Sequence, residues 1–250
     1  MDNKKSKNEE FELIIGRQSL MEALRAGRAL NQVFVARGER NGSIGKIIAL
    51  ASEAGIPVKE ADAKKLDYMC GGANHQGVAA FCAAHEYATV DDILKNAESK
   101  GEPPFIVICD EVEDPRNLGA IIRTAEASGV HGIIIPKRRS AALTGIVAKT
   151  SAGALEYVPV ARVSNLVQTI EYLKSLNIWT YCLDMDGVDY TSQDYSGGAA
   201  LIVGNEGKGV GRLVKEKCDF IISLPMKGKI NSLNASVAAG ILMYKISESR

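Results

Sequence analysis

Three segments hold the residue types that could do chemistry, and each is rich in glycine or amides. In Asp114-Pro-Arg-Asn-Leu-Gly-Ala-Ile-Ile-Arg-Thr-Ala, Asn117 can cap a helix and Gly119 allows close approach. Arg123 follows on the early turns, with a planar donor set suited to phosphate or carboxylate. A capped helix with a solvent arginine is the plainer account of that segment alone. The second segment, Val203-Gly-Asn-Glu-Gly-Lys-Gly-Val-Gly, packs four glycines into eight residues, the pattern of a ligand-cradling loop. It lacks the Lys-Ser/Thr ending of a nucleotide-hydrolysing loop and the G-x-G-x-x-G order, so both of those readings drop in rank. Glu206 there either bonds a substrate or holds another side chain. The third segment runs from Ile222 to Tyr244: an apolar strand ending at Pro225, a loop with lysines and amides, then a helix of small residues. Ser232 and Asn234 fall where that helix starts, with Asn231 or Ser232 as the simple N-cap. Lys137-Arg138-Arg139 adds three adjacent cations at a strand's end, a pattern that suits a phosphate backbone or an ordinary charged loop.

The elements that must position these residues alternate. Helical spacing over 16–25, 44–54 and 63–68 interleaves with short apolar runs at 31–36, 56–58 and 77–83. This βαβ-like order describes a small α/β domain over 11–85. Residues 86–104 become polar and end in Ser99-Lys-Gly-Glu-Pro-Pro, reading as a linker with a short helix over 90–97. The second domain, 105–250, opens with Phe105-Ile-Val-Ile-Cys, a near-continuous apolar strand of a sheet covered on both faces. Further strands are expected at 132–135, 157–160, 178–183, 199–202 and 219–224. Helices over 118–127, 141–149, 164–175, 208–215 and 233–246 fill the gaps. The fold class is α/β with a mostly parallel sheet whose strand C-termini carry the site.

Thirty basic and 30 acidic residues among 250 argue against non-specific polyanion binding by the whole surface and leave room for a local patch. In the first domain Arg17, Arg25, Arg28, Arg37 and Arg40 outnumber nearby acids and form a weak second candidate for an RNA-facing surface. Five scattered cysteines without a CxxC pair favour buried free thiols and a reducing cytoplasm, with no metal site expected. Residues 1–10 read as a disordered polar tail rather than a secretory signal, and no run is long and apolar enough for a membrane span. No Ser-His-Asp set is credible; His131 stands alone after a helix as a structural group.

Taken together, the three segments resemble the motifs of the SpoU/TrmH family (SPOUT class) of RNA ribose 2'-O-methyltransferases. The matching stretches are Asn117-Leu-Gly-Ala-Ile-Ile-Arg-Thr-Ala, Leu201-Ile-Val-Gly-Asn-Glu-Gly-Lys-Gly and Leu224-Pro-Met-Lys-Gly-Lys-Ile-Asn-Ser-Leu-Asn-Ala-Ser-Val-Ala. Gly16-Arg-Gln-Ser-Leu-Met-Glu-Ala-Leu and Asn74-His-Gln-Gly-Val-Ala-Ala resemble the small ribosomal-protein-like substrate-binding domain of the guanosine-specific 23S rRNA branch. The resemblance implies a trefoil-knotted methyltransferase domain, a homodimer with sites near its interface, and structured RNA, not DNA or membrane, as partner. It implies S-adenosylmethionine as cofactor, held at Gly204, Leu224 and Leu233 with neighbours Leu183, Val203, Asn205, Gly207 and Met226. Arg123 carries over as the catalytic group, with Asn117, Glu206, Ser232 and Asn234 around it, and Arg17, Lys137, Arg138 and Arg139 are expected to bind RNA. A guanidinium is normally protonated, so Arg123 is expected to bind the adjacent phosphate and reach the 2'-hydroxyl only in the assembled complex. The alternatives are a tRNA methyltransferase of the same family and a non-catalytic RNA-binding assembly protein.

Overall fold

The computed structural model describes residues 11–38 and 42–250; the expected tail at 1–10 and Arg40 lie outside them. The chain divides into two compact units, up to Glu86 and from Tyr87 onward.

The first unit holds β1 (Phe11–Ile15), α1 (Arg17–Arg25), β2 (Leu30–Ala36), α2 (Gly42–Glu53), β3 (Val58–Ala61), α3 (Ala63–Met69) and β4 (Val78–Ala83). Its sheet runs β1-β4-β2-β3, and only β2 and β3 are parallel. The βαβ reading holds for β2-α2-β3, whereas β4 returns to the middle of the sheet, antiparallel to both neighbours. The strand β1 is missing from the sequence reading, because Glu12 breaks its apolar run. Ile14, Leu20, Val33, Val35, Ile44, Ile47 and Val78 form the core between this sheet and α1 and α2.

The second unit begins with α4 (Val90–Lys100), capped by a reciprocal Thr89–Asp92 box. There follow β5 (Phe105–Cys109), α5 (Pro115–Ala127), β6 (Gly132–Pro136), α6 (Gly145–Thr150), β7 (Val160–Val163) and α7 (Leu166–Ser175). The chain ends through β8 (Ile178–Asp189), β9 (Gly198–Val203), α8 (Arg212–Lys217), β10 (Phe220–Ser223) and α9 (Ala235–Glu248). All six strands are parallel in the order β10-β8-β9-β5-β6-β7. Side chains alternate along β5: Phe105, Val107 and Cys109 face α5, α6 and α9, whereas Ile106 and Ile108 face α4, α7 and α8. The segment expected as a linker thus contributes a packed helix: Ile93 of α4 is fully buried, and its side chain fills the space where Gly132 of β6 has none.

Three further local expectations are corrected. Residues 154–156 form a 3-10 turn, and β7 starts only at Val160, since Pro159 has no N–H for the ladder. Asp114, not Asn117, caps α5 by accepting from Arg116 N at 2.7 Å, with Pro115 in the first turn. Asn234, not Asn231 or Ser232, caps α9, its Oδ1 accepting from the backbone N–H groups of Ser236 and Val237.

One irregularity matters for the site. Along β10, Ile221 faces Cys182 of β8 but the next residue, Ile222, faces Val188. Residues 183–187 are therefore left out of that ladder. Gly187 makes the return possible: a Cβ there would lie 2.5 Å from the backbone of Ile222. Among the described residues no helix is long and apolar enough to cross a membrane.

Candidate active site

In an open parallel sheet, ligands bind beyond the strand C-termini where the strand order reverses. Here β5 is made first, β6 and β7 lie to one side, and β8, β9 and β10 lie to the other. The looped-out stretch of β8, the loops after β9 and β10 and the start of α9 enclose a cavity of about 620 Å³. Leu183, Val203, Gly204, Asn205, Gly207, Leu224, Met226 and Leu233 all line it, with Glu206 and Ser232. A volume in the range of ~300–1,000 Å³ with apolar walls and few polar groups is that of a small-molecule site.

The walls are built tightly. Gly204 has no room for a side chain, since a Cβ would sit 2.2 Å from the carbonyl carbon of Gly209. Asn205 ties the loop, accepting from Gly207 N at 2.9 Å and donating to the Glu111 carbonyl at 3.0 Å. On the opposite wall, Lys215 bonds Asp184 at 2.8 Å and holds the looped-out stretch of β8 against α8. Partial burial pushes the Asp184 carboxyl up, but the Lys215 and backbone bonds outweigh it and hold the group below its ordinary value. These residues fit a sulfonium-bearing nucleoside: apolar walls, the backbone groups of a glycine loop, and the Glu206 carboxylate among the lining groups.

A second cavity of about 270 Å³ adjoins the first across Gly204–Gly207 and Ala235, walled otherwise by residues 112–114 and Asn117. At the junction three polar side chains from distant elements meet. Asn117 of α5 donates through Nδ2 to Glu206 Oε1. Asn234 donates through Nδ2 to the same oxygen at 2.6 Å and to Asn117 Oδ1 at 3.1 Å. Ser232 stands exposed at the rim of the larger cavity.

Arg123 is not part of this cluster. Six residues along a helix bring it about 9 Å further up the axis and about 120° round from Asn117. It is exposed, makes no hydrogen bond or ion pair among the described residues, and lines neither cavity. The basic turn is also divided. Arg139, in a left-handed conformation, bonds Glu111 at 2.9 Å, whereas Lys137 and Arg138 are exposed without an ion pair among the described residues. In the first unit, Arg17 donates through Nε to the Gln76 carbonyl at 2.7 Å and through Nη1 to Ser43 Oγ at 3.3 Å, which ties it into the 74–77 turn.

Two residues escaped the sequence reading. Asp110, at the end of β5, is buried and accepts from Gly211 N at 2.7 Å; burial raises its carboxyl above the ordinary range. Glu111 adopts φ 56°, a conformation L-residues avoid, and is held by Asn205 and Arg139. An acidic pair directly after an apolar strand was the available signal. His131 bonds Phe105 N and Glu102 and is structural.

Comparison with known proteins places this arrangement. Residues 104–244 match the model of the SpoU rRNA methylase family, and residues 13–88 match that of the RNA 2'-O ribose methyltransferase substrate-binding region. The Bacillus subtilis protein YacO, named for the TrmH family of tRNA/rRNA methyltransferases, is 50% identical over 97% of this chain and 98% of its own. A similarly named Staphylococcus haemolyticus protein is 45% identical over 95% and 96%. Among solved structures, an AdoMet-bound rRNA methyltransferase from Sinorhizobium meliloti aligns with TM-score 0.78 at 25% identity, covering 95% of this chain and 87% of that one. The SpoU methyltransferase AviRb of Streptomyces viridochromogenes, solved with AdoMet, shares the fold with TM-score 0.80 at 22% identity over 99% and 93%.

Proposed function

We propose, from the premise that this chain belongs to the SpoU rRNA methylase family and is an S-adenosylmethionine-dependent RNA ribose 2'-O-methyltransferase, that its acceptor is a guanosine of 23S rRNA. The observation that carries the assignment of parts is the junction of the two cavities at Asn117, Glu206 and Asn234. The larger cavity holds the cofactor, which supplies an activated methyl group on a sulfonium. The backbone of Gly204, Leu224 and Leu233 grips it. Apolar contacts from Leu183, Val203 and Met226 shield it from water, and Asn205 and Gly207 hold the loop. The smaller cavity receives the acceptor ribose, oriented by Asn117, which Asn234 holds in place, with Ser232 at the rim of the adjoining larger cavity. RNA is required because only RNA offers the 2'-hydroxyl.

Phosphates flanking the acceptor meet Lys137 and Arg138, with Arg139 available once released from Glu111. We assign Arg17 to the architecture of the RNA-binding unit rather than to a direct phosphate contact. The chain passage through 223–234 closes the cofactor site as a trefoil knot, and the protein works in the cytoplasm. It does so as a homodimer. Val237, Ile241 and Tyr244 form an exposed apolar stripe on α9, whose other side is buried. A second copy covers that stripe. Arg123 precedes Thr124, whose side chain approaches Gly240 of α9, and in this reading it binds the RNA phosphate in the assembled dimer.

The test is a map of 2'-O-methyl sites in total RNA from cells with and without this protein. Loss of one 23S guanosine mark is the expected result. Loss of a tRNA mark instead would move the acceptor to tRNA, and an unchanged map would favour a binding protein that transfers nothing.

A further inference from the structure

We infer that the first unit stacks an unpaired RNA base on the ring of Tyr68, with Lys64 and Arg37 on the neighbouring phosphates; this rests on the proposed reading of the chain as an RNA-modifying enzyme and deepens it. Successive side chains of a helix are set about 100° apart. In α3 Leu66 is fully buried against Phe34, Ala61 and Ala79. Tyr68, two positions on, therefore points to the far side. At 90% exposure it is the most exposed large apolar side chain among the described residues.

A single exposed aromatic is ordinary by itself. The footing of Tyr68 is what sets it apart. Its carbonyl accepts from Gly71 N at 3.3 Å, and that of Asp67 accepts from Gly72 N at 3.0 Å, with both glycines at positive φ. His75 locks the same turn from the other end. Its Nδ1 accepts from Gly77 N at 3.0 Å, so Nε2 carries the hydrogen and donates to Asp67 Oδ1 at 3.1 Å. A tyrosine has few torsions to freeze, and here its backbone is already fixed, so stacking a base costs little ordering.

The charges around the ring suit a phosphate chain. Lys64 stands four residues before Tyr68, on the same face of α3, roughly 5–6 Å away between Cβ atoms. Arg37 lies beside the start of that helix, since its N–H bonds the Ala61 carbonyl at 3.0 Å. Both cations are exposed and without an ion pair among the described residues. The nearby acids of α3 are engaged: Asp62 caps the helix through Lys65 N at 2.8 Å, and Asp67 holds His75. Other arginines of this unit are committed within it. Arg25 pairs with Glu22, Arg28 with Glu12, and Arg17 is tied to the Gln76 carbonyl.

An aromatic face between cations is the chemistry of a nucleotide: the ring takes the base and the cations take phosphate oxygens. Inside an A-form helix every base is stacked on its neighbours. The ring therefore selects a nucleotide splayed out of a loop or bulge.

The experiment uses the full-length protein and the RNA fragment that carries the mapped nucleotide. The variants are Tyr68→Ala, Tyr68→Trp, Lys64→Ala and Arg37→Ala. Binding is measured by fluorescence anisotropy over a range of salt. Unpaired positions of the fragment are replaced one at a time by 2-aminopurine, a fluorescent base. For Tyr68→Ala we expect RNA affinity to fall roughly 5- to 100-fold, the worth of one base on an aromatic ring, with the salt dependence unchanged. The KM for RNA should rise with it, while turnover at saturating RNA, S-adenosylmethionine affinity and melting temperature stay near wild type. Tyr68→Trp should bind as wild type does. Lys64→Ala and Arg37→Ala should each lower the slope of log affinity against log salt by about 0.7, one phosphate contact. One 2-aminopurine position should change in fluorescence on binding wild type and not on binding Tyr68→Ala.

Any of three results would overturn the stacking role: RNA affinity untouched in Tyr68→Ala, which would leave the ring to a protein partner; a Trp variant no better than Ala; or no 2-aminopurine position that responds to Tyr68. A wild-type protein that methylates no RNA would overturn the reading of the enzyme itself, which keeps the two failures apart.

Discussion

Asn234 serves two structures with the two ends of one amide. Its Oδ1 caps α9, and its Nδ2 holds Glu206 and Asn117. The two roles can be separated chemically. Asn234→Asp keeps the capping oxygen but replaces the donor with a second negative charge beside Glu206. Its melting temperature should stay close to wild type while methyl transfer collapses. Asn234→Ala loses both and should also lose about 1 kcal/mol of stability, the usual value of a cap. Thermal melts and transfer assays on the two variants, side by side, check this. Equal melting losses would mean that the cap matters little, and unimpaired transfer in Asn234→Asp would remove the amide from the site. Several polar residues precede the helix, and choice among them depends on the path of the 223–234 loop, which no local pattern encodes.

At the scale of elements, the cofactor loop depends on backbone approach that only glycine permits. Gly204→Ala would drive a Cβ into the backbone of Gly209 and Val210, neither of which is a flexible side chain that can swing away. The 204–209 loop must shift, and S-adenosylmethionine affinity should fall at least tenfold, read by calorimetry, with the sheet's circular dichroism preserved. Retained affinity would show that the loop tolerates displacement. The strands themselves were legible. Phe105–Cys109 and residues 199–202 read as apolar runs and are buried in the sheet. The glycine loop and the amide segment were legible as chemistry too, because strand, glycine and polar residue follow one another in sequence. What local pattern could not show was pairing at a distance. The bonds joining Glu206 to Asn117 and Asn234 span 89 and 28 residues, so periodicity has no access to them. The looped-out 183–187 stretch escaped for the same reason: the strand expected at 178–183 stops there, and only pairing with β10 carries β8 on to Asp189.

At the scale of the whole molecule, the homodimer proposal rests on the exposed stripe of α9. Ile241→Asp places a charge in the middle of that stripe, on a side chain 40% exposed in the single chain. Folding of the protomer should survive, because the buried residues Leu242, Met243 and Ile246 are untouched. Light scattering should give a wild-type mass near twice 26.8 kDa, and that of one chain for the variant. A monomeric wild type at micromolar concentration would end the homodimer proposal. Transfer should fall with the dimer if Arg123 acts only in the assembled pair.

The same long-range cluster has a consequence for how the protein is made. Asn117 and Asn234 are 117 residues apart, and α9 cannot form its cap before Asn234 has been synthesised. At ~5–20 residues per second, roughly 6–23 s separate the two asparagines during translation. Throughout that interval the nascent chain can hold β5 and α5 but has no completed junction. A polypeptide released early from a damaged message, anywhere short of Asn234, would therefore be inert rather than partly active.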